Sequence, residues 1–208
     1  MKFCGIKTVV IKVDPKDPDP LTIASAAAAI KSGKLVAFPT ETVYGLAANF
    51  SDRKAVDRLY EVKKRFRGKP FTVHIADAKT IRAMGCIITK KARMAIKKYW
   101  PGPLTIVLKS RSGGKIGFRM PANKVALELL RKAEVPVVAP SANISGKMPP
   151  TEAKCVLKYL DGVVDILIDS GKTEVGVEST VIDLSVNPPV ILREGAIKRA
   201  ALMRAIKG

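Results

Sequence analysis

The sequence predicts an α/β fold built on a mixed sheet, and three observations carry that prediction. Segments of strand-like alternation interleave with segments of helical period along the whole chain. Strands crowd together toward the C-terminal end, a pattern that suits a mixed sheet better than a purely parallel one. The balance of 47% apolar and 26% charged residues is that of an ordinary globular protein. With 208 residues and no visible linker, repeat or low-complexity stretch, the expectation is one domain over 1–208.

Each element has its own local signal. Residues 14–20 form a proline-aspartate loop, in which Asp19 and Pro20 read as N-cap and first residue of a helix closed by Gly33. Residues 35–38 are an apolar strand stopped by Pro39. Residues 51–66 repeat apolar positions at helical spacing, with a basic outer face. Phe71, Val73 and Ile75 alternate with Thr72 and His74, a strand with two unlike faces. A helix over 89–99 ends before Trp100-Pro101-Gly102-Pro103, and residues 104–108 form the next strand. Ile116, Phe118 and Met120 alternate with Gly117 and Arg119, so Arg119, like His74, is aimed away from an apolar layer. Residues 122–132 are helical, 135–139 a buried strand, and Thr151 caps a helix to Leu160. Three strands follow, at 165–169, 179–184 and 189–193.

Several function classes are excluded at this level. No apolar run approaches the ~20 residues of a membrane span, and the first seven residues lack the apolar core of a signal peptide, so the expectation is a cytoplasmic protein with no membrane partner. Cys4, Cys86 and Cys155 are few, scattered and without a C-x-x-C pair, which argues against a disulfide framework or zinc site and for small buried residues. His74 is the only histidine. No nucleotide-binding glycine fingerprint and no nucleophile elbow is present, and Ile166 stands where a P-loop ending at Lys172-Thr173 would need its first glycine. Thirty-seven Lys and Arg against 18 Asp and Glu give a net charge of +19, which favours anionic partners or a lysine-rich solvated surface.

Polar loops at strand ends are where chemistry can sit. Pro39-Thr40-Glu41-Thr42-Val43-Tyr44-Gly45-Leu46 is one, although on local grounds alone a capping turn is the better reading. Lys63-Lys64-Arg65-Phe66-Arg67-Gly68-Lys69-Pro70 packs five cations onto a loop suited to polyphosphate, or equally to a solvated helix C-terminus. Pro140-Ser141-Ala142-Asn143, Gly176-Val177-Glu178-Ser179-Thr180 and Arg193-Glu194-Gly195 are weaker candidates when taken singly.

In order, these loops together with Trp100-Pro101-Gly102-Pro103-Leu104-Thr105 and Arg119-Met120-Pro121 resemble the YrdC-type threonylcarbamoyl-adenylate synthases, from about Thr22 to Gly195. The resemblance implies an open twisted sheet with flanking helices and a basic concave face. It implies synthesis of threonylcarbamoyl-AMP from L-threonine, bicarbonate and ATP, with release of pyrophosphate. The product would serve threonylcarbamoyl-adenosine formation in tRNA, completed by a separate transferase complex. By the same resemblance, Thr42, His74, Arg119, Ala139 and Ser179 would form the threonine pocket, and Arg65, Lys69, Ser141 and Arg193 the ATP pocket. Mg²⁺ would ride on the triphosphate, and neither a protein nucleophile nor a metal ligand is implied. Lys115, Pro149 and Glu194 depart from the family pattern, and Arg-Glu-Gly with Phe-Thr after the basic loop resembles the YciO paralogues instead. Two alternatives therefore stand beside the synthase: a double-stranded RNA or tRNA-binding protein of the same fold, and a YciO-like paralogue with an altered substrate. Larger relatives carry an extra C-terminal domain, so a chain ending at Gly208 resembles the short form.

Overall fold

Helix-capping chemistry and alternating apolar side chains set the element boundaries in the computed structural model, which describes residues 6–207. The signal-peptide reading of the first residues and the burial of Cys4 fall largely or wholly outside them. In chain order the elements are β1 (Val9–Lys12), α1 (Pro20–Lys31), β2 (Val36–Phe38), β3 (Gly45–Asn49), α2 (Arg53–Lys63), β4 (Val73–His74) and α3 (Lys79–Ala83). Then follow α4 (Lys90–Tyr99), β5 (Leu104–Lys109), β6 (Lys115–Arg119), α5 (Lys124–Ala133) and β7 (Val137–Val138). The chain closes with α6 (Ala153–Leu160), β8 (Ile166–Asp169), β9 (Thr180–Asp183), β10 (Val190–Arg193) and α7 (Arg199–Ala205).

Asp19 caps α1 by accepting from the Thr22 amide, with Pro20 at the first helical position, and Gly33 leaves the helix at φ +85°. Asp52, Thr89 and Asn123 cap α2, α4 and α5 in the same way. Thr151 does not cap α6: Glu152 occupies that position without a side-chain bond, and the Thr151 carbonyl instead accepts from the Thr173 amide. The stretch 39–46 is not wholly a turn, because from Gly45 it becomes β3, which pairs antiparallel with β2. Cys86 is buried as expected, whereas Cys155 is only half-buried on α6.

Among the described residues ten strands form one sheet in the order β1-β8-β2-β3-β7-β4-β6-β5-β9-β10. Parallel pairs (β1 with β8, β2 with β8, β4 with β6, β5 with β9) mix with antiparallel ones, as the strand-dense C-terminal end predicts. On one face Val73, Leu104, Ile106, Leu108, Phe118 and Ile182 pack with Leu59, Ala92, Val156 and Leu202 from the helices. On the other face Val36, Phe38, Ala47, Val137 and Ile168 pack under Ile23, Ala26 and Ile30 of α1 and Leu129 of α5. No residue of β4, β6, β5 or β9 belongs to this second core. Half of that face is therefore left without a helical cover.

Candidate active site

Strand alternation decides what the uncovered half presents. On β5, Leu104, Ile106 and Leu108 enter the apolar core, so Thr105 and Val107 point the other way. On β6 the same logic turns Lys115, Gly117 and Arg119 outward, and on β4 it turns His74. These side chains floor a cavity of about 690 Å³, walled by the basic loop, the 139–141 segment and the 178–183 segment, and reaching Arg193. Register places residues of five strands in one row: His74 opposite Arg119, Arg119 opposite Thr105, Thr105 opposite Val181, and Val181 opposite Arg193. At ordinary strand spacing the row runs about 19 Å.

The Arg119 end is held by the 40–42 loop. Arg119 is buried and pairs with the equally buried Glu41 at 2.9 Å, while its Nη2 donates to Thr42 Oγ1 at 2.7 Å. Thr40 supports Thr42 from behind, 2.9 Å between hydroxyls. Neither Glu41 oxygen has well-aligned hydrogen-bond geometry and Arg119 Nε has no partner, so this end retains unmet polar capacity. Burial depresses the Arg119 guanidinium, and Glu41 opposes that shift. Beside it, burial and then the Arg119 charge push His74 down to about 3, so the imidazole is neutral at ordinary pH. Its Nδ1 also lacks a partner, and its ring meets Phe38 edge-on at 6.3 Å.

The Arg193 end is cationic and clamped. Arg193 donates to the Ser179 carbonyl through Nε and Nη2 at 3.1 and 3.0 Å, and pairs with Glu178 at 2.9 Å. The turn needs Gly195, because a Cβ there would collide with the Glu178 carbonyl. Arg65 is fixed by donating to the Lys69 and Pro70 carbonyls and lies over the Phe71 ring. Burial lowers the Arg65 guanidinium most, and Arg193 adds to the shift, which places the two cations within each other's field. Lys115 pairs with the buried Asp183 at 2.8 Å; burial would raise that carboxyl, but the bonds from Lys115 and Ser185 hold it below its ordinary value.

Eight of the nine residues predicted for the site line this cavity: Arg65, Lys69, His74, Arg119, Ala139, Ser141, Ser179 and Arg193. The ninth, Thr42, is fully buried behind Arg119 and orients it without reaching the cavity. The basic loop also needs correction. Lys63 is not one of its free cations but the buried last residue of α2, donating to the carbonyls of Ser141 and Asn143 and to Asn143 Oδ1. Burial, followed by the Arg65 charge, brings Lys63 down to about 8. Thr105, Glu178 and Asp183 escaped the sequence reading as site residues. Period-two alternation from Leu104 is the available signal for Thr105; Glu178 lies in the 176–180 loop already singled out, and nothing local marks Asp183. Both cavity carboxylates are engaged by cations, and among the described residues no cluster of three potential metal ligands occurs.

The Sua5/YciO/YrdC family model, described as "Telomere recombination", matches residues 28–195. Threonylcarbamoyl-AMP synthase of Pyrococcus abyssi is 45% identical over 208 residues, covering 96% of this chain and 61% of that protein. The Bacillus subtilis protein of the same name is 39% identical, with coverages of 95% and 59%. The chain thus spans about three-fifths of the length of these curated relatives. The structure of P. abyssi Sua5 complexed with L-threonine superposes with TM-score 0.91 at 43% identity, covering 96% of this chain and 61% of that one. Escherichia coli YciO superposes with TM-score 0.81 at 25% identity, with coverages of 90% and 96%.

Proposed function

The chain belongs to the Sua5/YciO/YrdC family, and from that premise we propose that it makes threonylcarbamoyl-AMP from L-threonine, bicarbonate and ATP. The observation that carries this reading is the uncovered cavity, with the buried Arg119 toward one end of a residue row and the cationic Arg193 at the other. Arg119, oriented by Glu41 and Thr42, takes the threonine carboxylate in its planar fork. Neutral His74 offers hydrogen bonds to the amino acid without adding a repelling charge near its amine. Arg65, Lys69 and Arg193 take the triphosphate, with Ser141 beside them and Mg²⁺ arriving as part of the nucleotide.

The chemistry then needs positioning and charge stabilisation rather than a protein nucleophile. The free amine bonds to the bicarbonate carbon as water leaves. A carbamate oxygen attacks the α-phosphorus, and the bond to pyrophosphate breaks. The same reading includes a single domain over 1–208, a cytoplasmic setting, and delivery of the product to a tRNA-modifying transferase complex. Higher identity to the synthases than to YciO supports it over an altered-substrate paralogue. Incubation with labelled bicarbonate, threonine and ATP tests it: label in threonylcarbamoyl-AMP is expected, and pyrophosphate release indifferent to threonine would overturn it.

The net charge of +19 favours RNA as an additional ligand. Binding to a duplex or to tRNA would be sequence-tolerant and fall steeply with salt, its logarithmic slope near −0.7 to −0.9 per phosphate contact; a flat salt dependence would reject it.

A further inference from the structure

Thr105 occupies the middle of the row, between the amino-acid end at His74 and Arg119 and the phosphate end at Arg193. It is buried, yet it faces the cavity. Its Oγ1 lies 2.9 Å from Ser179 Oγ, which is buried in the same wall. Arg193 Nη2 donates to Ser179 Oγ at 3.3 Å, so the pair is tied to the phosphate end, while the register ties Thr105 to Arg119.

Counting protons shows what the pair can do. Two hydroxyls bring two O–H donors, and their mutual bond uses one of them. Arg193 supplies a donor to Ser179 and cannot accept. Among the described residues no other acceptor takes the second proton, whichever hydroxyl carries it. One hydroxyl proton is therefore left for the cavity, at the point where a group joining an amino-acid nitrogen to a phosphorus would lie.

We propose that the Thr105–Ser179 hydroxyl pair is the subsite for bicarbonate and for the carbamate made from it, which makes Thr105 a substrate-contacting residue. This rests on the synthase reading above. The amine forms its C–N bond to the bicarbonate carbon, and the departing hydroxide takes an amine proton and leaves as water. The resulting carbamate keeps one oxygen on the spare O–H while the other bonds to the α-phosphorus. The bond from that phosphorus to the pyrophosphate oxygen then breaks, carrying its electron pair into pyrophosphate.

The pair is redundant by construction: losing one hydroxyl frees the other to donate. Thr105→Val should raise the apparent KM for bicarbonate only a few-fold, and Thr105→Ser should leave it within about twofold of wild type. Thr105→Val with Ser179→Ala should raise it about tenfold or more, the scale of a lost hydrogen bond to a charged group. Pyrophosphate release at saturating ATP, with bicarbonate and threonine varied in turn, provides the readout. A larger rise in KM for bicarbonate than for threonine supports the subsite; an equal or smaller rise overturns it and assigns the pair to threonine. Should the double variant not turn over, the same ratio in Thr105→Val decides. Wild-type protein separates the two levels. If it shows no bicarbonate-dependent release, the synthase reading falls and the subsite with it; if it is active and the ratio fails, only the subsite falls.

Discussion

One face of this sheet is two different surfaces. Across β8, β2, β3 and β7 it carries Ile168, Val36, Phe38, Ala47 and Val137, sealed by α1 and α5. Across β4, β6, β5 and β9 the same pleat carries His74, Arg119, Thr105 and Asp183, with no helix above it. The opposite face of those latter strands is as apolar as any part of the core. The difference therefore lies in cover and not in strand character: where helices lie, apolar side chains are required, and where none lie, the pleat can present a row of polar and charged side chains. Those charges meet their burial cost through one another, as Glu41 does with Arg119 and Asp183 with Lys115.

If the two halves are separate in role, variants should separate too. Leu129→Ala, in the sealed half, should lower unfolding stability by about 2–5 kcal/mol, read by denaturant titration, and leave threonine and ATP affinities unchanged. A loss of ligand affinity comparable to the loss of stability would erase the distinction. Arg119→Ala, in the open half, should weaken threonine binding by about 2–4 kcal/mol in calorimetry and ATP binding far less. Unchanged threonine affinity would put Arg119 outside the site.

His74 sits at the seam, in contact with Phe38 from the sealed half. Its folded-state value of about 3 lies below that of an unfolded histidine near 6.5. Between those values the unfolded chain binds a proton that the folded chain refuses, so stability falls as pH drops through this window. At about pH 4.5 this contribution reaches about 2–3 kcal/mol, measured as the extra acid sensitivity of wild type over His74→Gln. Equal acid sensitivity of the two would show that His74 is not held neutral. The smallest effect concerns the cations. Arg65→Ala and Arg193→Ala should lower ATP affinity non-additively, by a coupling of about 1 kcal/mol, because one triphosphate engages both. Strict additivity would mean they do not share a ligand.

Much of this contrast is legible in the sequence. Alternation alone aims both His74 and Arg119 away from an apolar layer, because a strand's period is fixed by backbone geometry; that they stand opposite each other comes from the sheet register. The cap residue Asp19 fixes the start of α1 for an equally local reason, whereas Thr151, equally cap-like in sequence, does not cap α6. What local patterns cannot carry is cover. Nothing near Thr42 says that it stands behind Arg119 and outside the cavity lining. Nothing in Lys63-Lys64-Arg65 says that the first lysine turns inward to the Ser141 and Asn143 carbonyls while Arg65 stays out. The strand from Gly45 to Asn49 has no alternation to read, because it is buried on both faces.

Amide chemical-shift mapping of the wild-type protein tests the division of the face most directly. Titration with L-threonine should move the amides of His74 and Arg119, and subsequent addition of Mg²⁺-ATP should move those of Arg65, Lys69 and Arg193. The amides of α1 and α5 should stay in place throughout. Threonine or ATP shifts concentrated in α1, α5 and the strands beneath them, with the open row unmoved, would contradict the account.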